Sequence, residues 1–193
     1  MRKRAEQVDQ TRQRIVDATV RLHTTVGPAN TTITGVAEEA GVTRLTVYRH
    51  FPDVESLFAA CGRRWIELHP PPDPAAWRKI DGVGARSRHA LGELYGWYHA
   101  CGDELLPIVR DREAMPASTQ REMAEVFQAF GDALVAGSGV RGRARRRLTA
   151  TAGLVVGFWT WHTLTVEQGL DLDEAVDLAV NLLDCAAQTR RSP

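Results

Sequence analysis

Residues 31–51 read TTITGVAEEAGVTRLTVYRHF, and this stretch limits the possible folds more than any other part of the chain. Val36, Ala37 and Ala40 recur at helical spacing, and their small side chains let another helix come close. Gly41 ends that helix, because a positive φ is easiest for glycine. Val42 can plug the corner, and Thr43 carries the hydroxyl that N-caps the next helix. That second short helix runs over residues 44–50, with Val47 and Phe51 four apart on its inward side. Two short helices joined by Gly-Val-Thr at a steep angle are a helix-turn-helix.

The outward side of the second helix carries Arg44, Thr46, Arg49 and His50, with Tyr48 on its flank. A seven-residue helix serving only as structure has no need of so many donors, whereas a helix lying in the major groove does. Early in that helix Arg44 can reach base edges, where bidentate pairing with guanine discriminates by about 1–3 kcal/mol. Thr46 suits a thymine methyl or a phosphate. Tyr48 and His50 suit phosphates, which fix register without reading sequence. Thr34, early in the preceding helix, is a further phosphate candidate. The candidate DNA-binding set is therefore Thr34, Thr43, Arg44, Thr46, Tyr48, Arg49 and His50, and the implied partner is a double-stranded DNA operator.

The rest of the chain also reads as helix. Residues 10–22 form an amphipathic helix with Ile15, Ala18, Thr19 and Leu22 on one face, ended by a left-handed Gly27 and by Pro28. Thr31 and Thr32 offer caps to the next helix, over 34–40. Asp53 caps a fourth that carries Leu57, Phe58, Trp65, Ile66 and Leu68. His69-Pro-Pro-Pro-Asp-Pro74 is a stiff breaker. Further helices are predicted over 87–101, 104–113, 118–135, 143–167 (as one long helix) and 170–188. No alternating apolar pattern argues for a sheet, so the expected class is all-α. The division is a three-helix helix-turn-helix domain over 1–58 and a second helical domain over 59–193, to which the family resemblance given below assigns effector binding and dimerisation.

Composition adds exclusions. The 24 basic and 24 acidic residues cancel, but Arg2, Lys3, Arg4, Arg12, Arg14 and Arg21 load the first helix region with positive charge. That asymmetry suits an anionic partner at that end only. Arg2, Lys3 and Arg4 are read as an arm, either a minor-groove contact or a free tail. The start resembles the basic end of a signal peptide, but polar residues come after it, and no apolar run approaches a bilayer span, so neither export nor membrane insertion is expected. Cys61, Cys101 and Cys185 are odd in number and widely spaced, which argues against disulfides and zinc and for ordinary buried thiols in a reducing cytoplasm. No Ser/His/Asp order, Gly-rich phosphate loop or His-x-x-x-His pair is present, and His89, Glu93 and His99 do not share a helical face. No catalytic residue, metal or cofactor is expected.

The segments Ile15-Val-Asp-Ala18, Gly27, Thr32, Val36-Ala-Glu-Glu-Ala-Gly-Val-Thr43 and Thr46-Val-Tyr-Arg-His-Phe51 resemble the N-terminal domain of tetracycline-repressor-like (TetR family) transcription regulators. The resemblance covers about the first 58 residues. It implies a bacterial homodimer of helical subunits, each with a helix-turn-helix at one end and a diverged helical domain that binds a small molecule and dimerises. It puts Arg44, Thr46, Tyr48 and His50 at DNA-touching positions, Tyr48 on a phosphate. It also implies dimerisation through the last two helices, and so a near-palindromic operator. Two residues depart from the pattern. Val54 stands where a phosphate-binding lysine is frequent, and His23 where phenylalanine is usual, leaving either a looser core or a neutral, hydrogen-bonded ring.

In the second half, GLVVGFWTWHTLTVEQG (residues 153–169) places Gly153 and Gly157 four apart, which admits a neighbouring helix at close range. Trp97, Tyr98, Met123, Phe127, Phe158, Trp159 and His162 supply aromatic and apolar surface for an effector cavity, with His99 as a second polar handle; the same residues could simply fill a core. Arg141, Arg143, Arg145, Arg146 and Arg147 read as a solvated helix start. The leading function is a ligand-responsive repressor released from DNA by a largely apolar small molecule. An activator or partner-responsive regulator is the alternative, and a helical enzyme with a retained helix-turn-helix a distant one.

Overall fold

The computed structural model describes the backbone of residues 2–188 and the side chains of residues 6–188. Among these residues the chain is helical throughout, without strands: α1 (Arg2–Thr25), α2 (Ile33–Ala40), α3 (Arg44–His50), α4 (Val54–Leu68), α5 (Pro74–Trp77), α6 (Val83–Arg110), α7 (Ala117–Val135), α8 (Gly142–Val155), α9 (Phe158–His162) and α10 (Leu172–Ala187). No described helix is long and apolar enough to cross a membrane. Two compact units emerge, Met1–Pro70 with Cys101–Glu122, and Pro71–Ala100 with Met123–Pro193. Because α6 is continuous, its start belongs to the second unit and its end to the first.

In the first unit α1 packs on α2 and α4, and α2 on α3. The shared core is Ile15, Val16, Ala18, Val36, Ala37, Ala40, Val47, Phe51, Leu57 and Ala60, with Leu22, Ile33 and Val42 closing its rim. Helix α1 starts at Arg2 rather than near residue 10, so the backbone of the expected basic arm is helical; the side chains of Arg2, Lys3 and Arg4 lie outside the described residues. Gly27 takes a positive φ, but with ψ 159° it is extended rather than left-handed helical. The reason lies in the end of α6 and the residue after it. Asp111 accepts from the Ala29 amide at 3.1 Å, and Arg110 donates to Asp111 (2.7 Å) and to the Val26 carbonyl (3.2 Å). A Cβ on Gly27 would clash with Asp111 Oδ2 and with the Arg110 guanidinium.

His23 is buried, 5% exposed. Its Nδ1 lies 3.4 Å from Cys61 Sγ and its ring 4.6 Å from that of Phe58. Burial lowers its pKa from 6.5 to about 4 and pushes the Cys61 thiol up to about 12. The pair is therefore a neutral imidazole sharing a hydrogen bond with a neutral thiol, which resolves the departure at this position in favour of a packed, hydrogen-bonded ring.

The helices expected over 87–101 and 104–113 are one, α6, which runs from the second unit into the first. Pro107 lies inside α6 and removes a single backbone bond without ending the helix. The long helix expected over 143–167 is instead broken. Gly157 is extended (φ −70°, ψ 137°), and α9 restarts at Phe158 before a π-turn over Thr163–Glu167. Tyr95 and Tyr98 of α6 donate their hydroxyls to the Val155 and Val156 carbonyls at 2.9 and 2.7 Å, satisfying acceptors that the break exposes. Backbone approach does occur in this region, with Gly131 of α7 against Gly153, whereas the Cβ positions of Gly153 and Gly157 face open space and their own helix turn. Cys61 and Cys101 are buried as expected; Cys185 is exposed, because α10 turns it outward. Helix α10 begins with a capping box between Asp171 and Glu174.

Two outcomes are expected. The unfolded chain protonates His23 near pH 6.5 and the folded chain only near pH 4. The unfolded state thus binds the extra proton in between, and this contribution to stability is complete above pH 6.5 and falls by about 3 kcal/mol on descending to pH 4. Urea denaturation across that range should show the loss, and His23→Phe should remove it. Gly27→Ala should cost more than about 3 kcal/mol, falling to about 1–2 kcal/mol in an Arg110→Ala/Asp111→Ala background, where both clashing side chains are gone and backbone strain remains.

Candidate nucleic-acid interface

Three side chains, two threonines and an aspartate, set where α2, α3 and α4 begin. Thr32 Oγ1 accepts from the Gly35 amide at 3.0 Å, Thr43 Oγ1 from Thr46 at 3.2 Å, and Asp53 Oδ1 from Ser56 at 2.7 Å. The Thr43 and Thr46 hydroxyls also bond each other at 2.9 Å. Each cap contributes about 1 kcal/mol and, more to the point here, fixes the residue at which the helix starts and hence which side chains face out.

Only Val47 of α3 is buried. Arg44, Tyr48 and Arg49 are exposed, Thr46 and His50 half-buried, and Thr34 and Thr43 exposed at the starts of α2 and α3. Arg44 makes no ion pair among the described residues, so its five donors are free. Thr46 is partly occupied by Thr43 and can offer its methyl together with the remaining hydroxyl capacity. All seven candidates thus lie on or at the ends of two short helices, with their backbones fixed by caps.

The far end of α3 carries positive potential. Arg12 of α1 lies over the Phe51 ring, 4.4 Å from its centroid. His50 has its pKa lowered by partial burial and by the charges of Arg49 and Arg12. A field that repels a proton from an imidazole attracts a phosphate, and a neutral His50 still has an N–H to donate. Beside it, Gln7, Val8, Thr11, Arg49 and His50 line a surface groove of about 490 Å³. Val54, first residue of α4, is 48% exposed and offers no donor beyond the backbone.

Leu45 escapes a reading of the sequence. At 79% exposed it is the most exposed of the large apolar side chains, set between Arg44 and Thr46 on the outward face. A signal for it exists: Val47 faces inward, and a residue two positions earlier lies on the opposite side of the helix. A leucine there has no packing role in this chain, and it matches the thymine methyl, the apolar group of the major groove. Arg12 escapes as well, because only the fold brings α1 beside Phe51.

In the second unit the expected effector residues fall into two groups. Trp97, Tyr98, Phe158, Trp159 and His162 form one aromatic cluster with Trp161, the Tyr98 and Phe158 rings meeting edge-on at 5.5 Å. Phe127 packs instead on Phe130, which packs on Trp77; Met123 is half-buried on the same helix as Phe127. Tyr98 and Phe158 are buried, and Tyr98 spends its hydroxyl on Val156. Within the first cluster Trp161 Nε1 is buried without a partner, and His162 Nδ1 lies 3.4 Å from Glu167. Among the described residues no group of three or more His, Cys, Asp or Glu is arranged to hold a metal ion.

Residues 15–61, which span α1 from Ile15 through the first half of α4, match the family model of bacterial regulatory proteins, tetR family. The chain is 40% identical over 58 residues to the HTH-type transcriptional regulator AcrR of Shigella flexneri, covering 30% of this chain and 27% of that protein. It is 38% identical over 85 residues to the regulator SrpR of Pseudomonas putida, covering 42% and 40%. The matched region thus spans less than half the length of either relative. Over the whole fold, NalD of Pseudomonas aeruginosa, the secondary repressor of the MexAB-OprM multidrug efflux pump, superposes with a TM-score of 0.60 at 21% identity, covering 95% of this chain and 99% of that one. A TetR transcriptional regulator from Rhodococcus sp. RHA1 does so with 0.51 at 17% identity, covering 95% and 99%. The helix-turn-helix built on Gly41, Thr43 and Val47 is thus the matched part, and this portion of the chain is similar to the tetR family of bacterial regulatory proteins.

Proposed function

We propose that the protein is a transcription regulator that binds a near-palindromic DNA operator as a homodimer and is released by a small, largely apolar effector. The observation that carries this reading is the outward face of α3. Arg44, Leu45, Tyr48 and Arg49 are all exposed on a helix that buries only Val47 and is fixed at its start by Thr43. Arg44 reads guanine, Leu45 and the Thr46 methyl meet thymine, and Tyr48, Arg49, His50, Thr34 and Thr43 hold phosphates. DNA binding belongs to residues 1–58, effector binding and dimerisation to 59–193. A DNA partner puts the protein in the cytoplasm.

The aromatic cluster of Trp97, Tyr98, Phe158, Trp159 and His162 is the effector site this reading favours, with Met123 and Phe127 on a neighbouring helix. An unpartnered Trp161 N–H beside a π-turn supports a ligand there, since an orphaned buried donor costs stability unless something accepts from it. Effector binding then favours a dimer whose two reading heads no longer match the groove spacing, and DNA must weaken effector binding by the same factor.

The test is fluorescence anisotropy on DNA from upstream of the protein's own gene, across a salt series. Wild type should bind tightly with a steep salt slope. Arg44→Ala should lose about 1–3 kcal/mol on the preferred site and much less on unrelated DNA, narrowing the gap between them. Tyr48→Phe should weaken both by a similar factor, as loss of a phosphate contact does. Equal, weak binding of wild type to every fragment, including fragments recovered from the whole genome, would contradict the reading.

A further inference from the structure

Of the two aliphatic side chains in α3, Val47 is fully buried and Leu45 is 79% exposed. Helical spacing puts Tyr48 and Arg49, three and four residues on, along the same side as Leu45, and Arg44 stands next to it. Helix α3 carries Arg44, Arg49 and His50 and no acidic residue. An apolar side chain set among cations and a phenol is a poor fit to an apolar protein patch, which would bury those charges unpaired. It fits a surface that is anionic overall and carries small apolar groups at fixed places. The DNA major groove is such a surface, with phosphates at its rims and the C5-methyl of thymine among its base edges.

A leucine has neither donor nor acceptor, so it cannot tell the O4 acceptor of thymine from the N4 amine of cytosine. It senses only whether C5 carries a methyl. The next residue, Thr46, has a hydroxyl that could sense position 4, but that hydroxyl is engaged with Thr43 Oγ1 at 2.9 Å. Thr43 Oγ1 in turn accepts from the Thr46 amide at 3.2 Å, so the pair is tied to the start of the helix. The other neighbour, Arg44, is a donor only and seeks guanine N7 and O6. What Leu45 itself distinguishes is therefore the methyl, and 5-methylcytosine carries that methyl at the same carbon as thymine.

We propose that Leu45 reads the C5-methyl group of one pyrimidine in each half-site, accepting thymine and 5-methylcytosine alike, so that methylating a cytosine at that position strengthens binding. The proposal rests on the DNA-reading function above and adds a chemical mark to what α3 recognises. Unmethylated cytosine leaves the leucine facing a gap. Two copies of α3 read the operator under the homodimer reading, so the effect enters once per half-site.

The experiment is fluorescence anisotropy of the full chain on a duplex enriched from a randomised pool. Each thymine is replaced in turn, in both half-sites, by deoxyuridine, which removes the methyl and leaves the pairing unchanged. At one position the loss should be about fourfold per half-site and about fifteenfold for both, the worth of one methyl packed on a side chain. With cytosine paired to guanine at that position, adding the 5-methyl should tighten binding by a similar factor. Leu45→Ala should bind the methylated and unmethylated duplexes equally, and Leu45→Met should keep the preference. Because Leu45 is exposed, both variants should fold, and equal low-salt binding to an unrelated duplex checks that their phosphate contacts remain. A wild type that binds all duplexes alike would overturn the DNA reading and this proposal together. Selective binding that tolerates deoxyuridine at every thymine would leave the DNA reading standing and overturn the proposal. So would a methyl effect that survives in Leu45→Ala, which assigns the methyl to another side chain, or a thymine preference with no gain from 5-methylcytosine.

Discussion

The direction of α3 is set where the backbone passes through the left-handed region at Gly41 (φ 63°, ψ 42°). The Val42 amide then reaches back to the Ala37 carbonyl at 2.9 Å, closing α2, and Thr43 opens α3 one residue later. Nothing crowds the position, since a Cβ there would meet no atom within 4 Å; the requirement is on the backbone alone. With that turn fixed, Val47 and Phe51 must enter the core beside Ala37 and Ala40, and Arg44, Leu45 and Tyr48 must leave it. The chemistry of the face is a consequence of which way one peptide turns.

The chain contains two places where a local rule is broken, one in each unit, and they are resolved differently. His23 sits buried where an apolar ring would pack without cost. Cys61, kept protonated by the same burial, satisfies it, and Phe58 covers it. That conflict is settled inside the first unit. The five arginines at the start of α8 find only carbonyls and a hydroxyl. Their conflict is not settled within the described chain.

The legible parts of the sequence are those governed by neighbours in the chain. The bounds of α3, the caps at Thr32, Thr43 and Asp53, the stop at Gly41 and the inward Val47 and Phe51 all depend on residues within four positions of one another. The illegible parts depend on residues far apart. The break before α9 needs the hydroxyls of Tyr95 and Tyr98, some 60 positions away, as donors to the freed carbonyls. The extended ψ at Gly27 needs Asp111, and the positive field at His50 needs Arg12. The merging of two expected helices into α6 shows the converse error, in which a boundary expected at residues 102–103 does not interrupt the helix. The aromatic residues of the second half stand out as a set, but periodicity carries no information on which of them meet. Phe127 belongs with Phe130 and Trp77 rather than with Phe158.

The central claim is that α3 reads DNA sequence, and that two copies do so together. Selection of bound duplexes from a fully randomised pool by the full-length chain addresses it with no operator specified in advance. The account predicts an enriched near-palindrome whose half-sites lie about 10 base pairs apart or a multiple of that, with a guanine in each half whose enrichment disappears for Arg44→Ala. Recovery of sequences no different from the starting pool would contradict it.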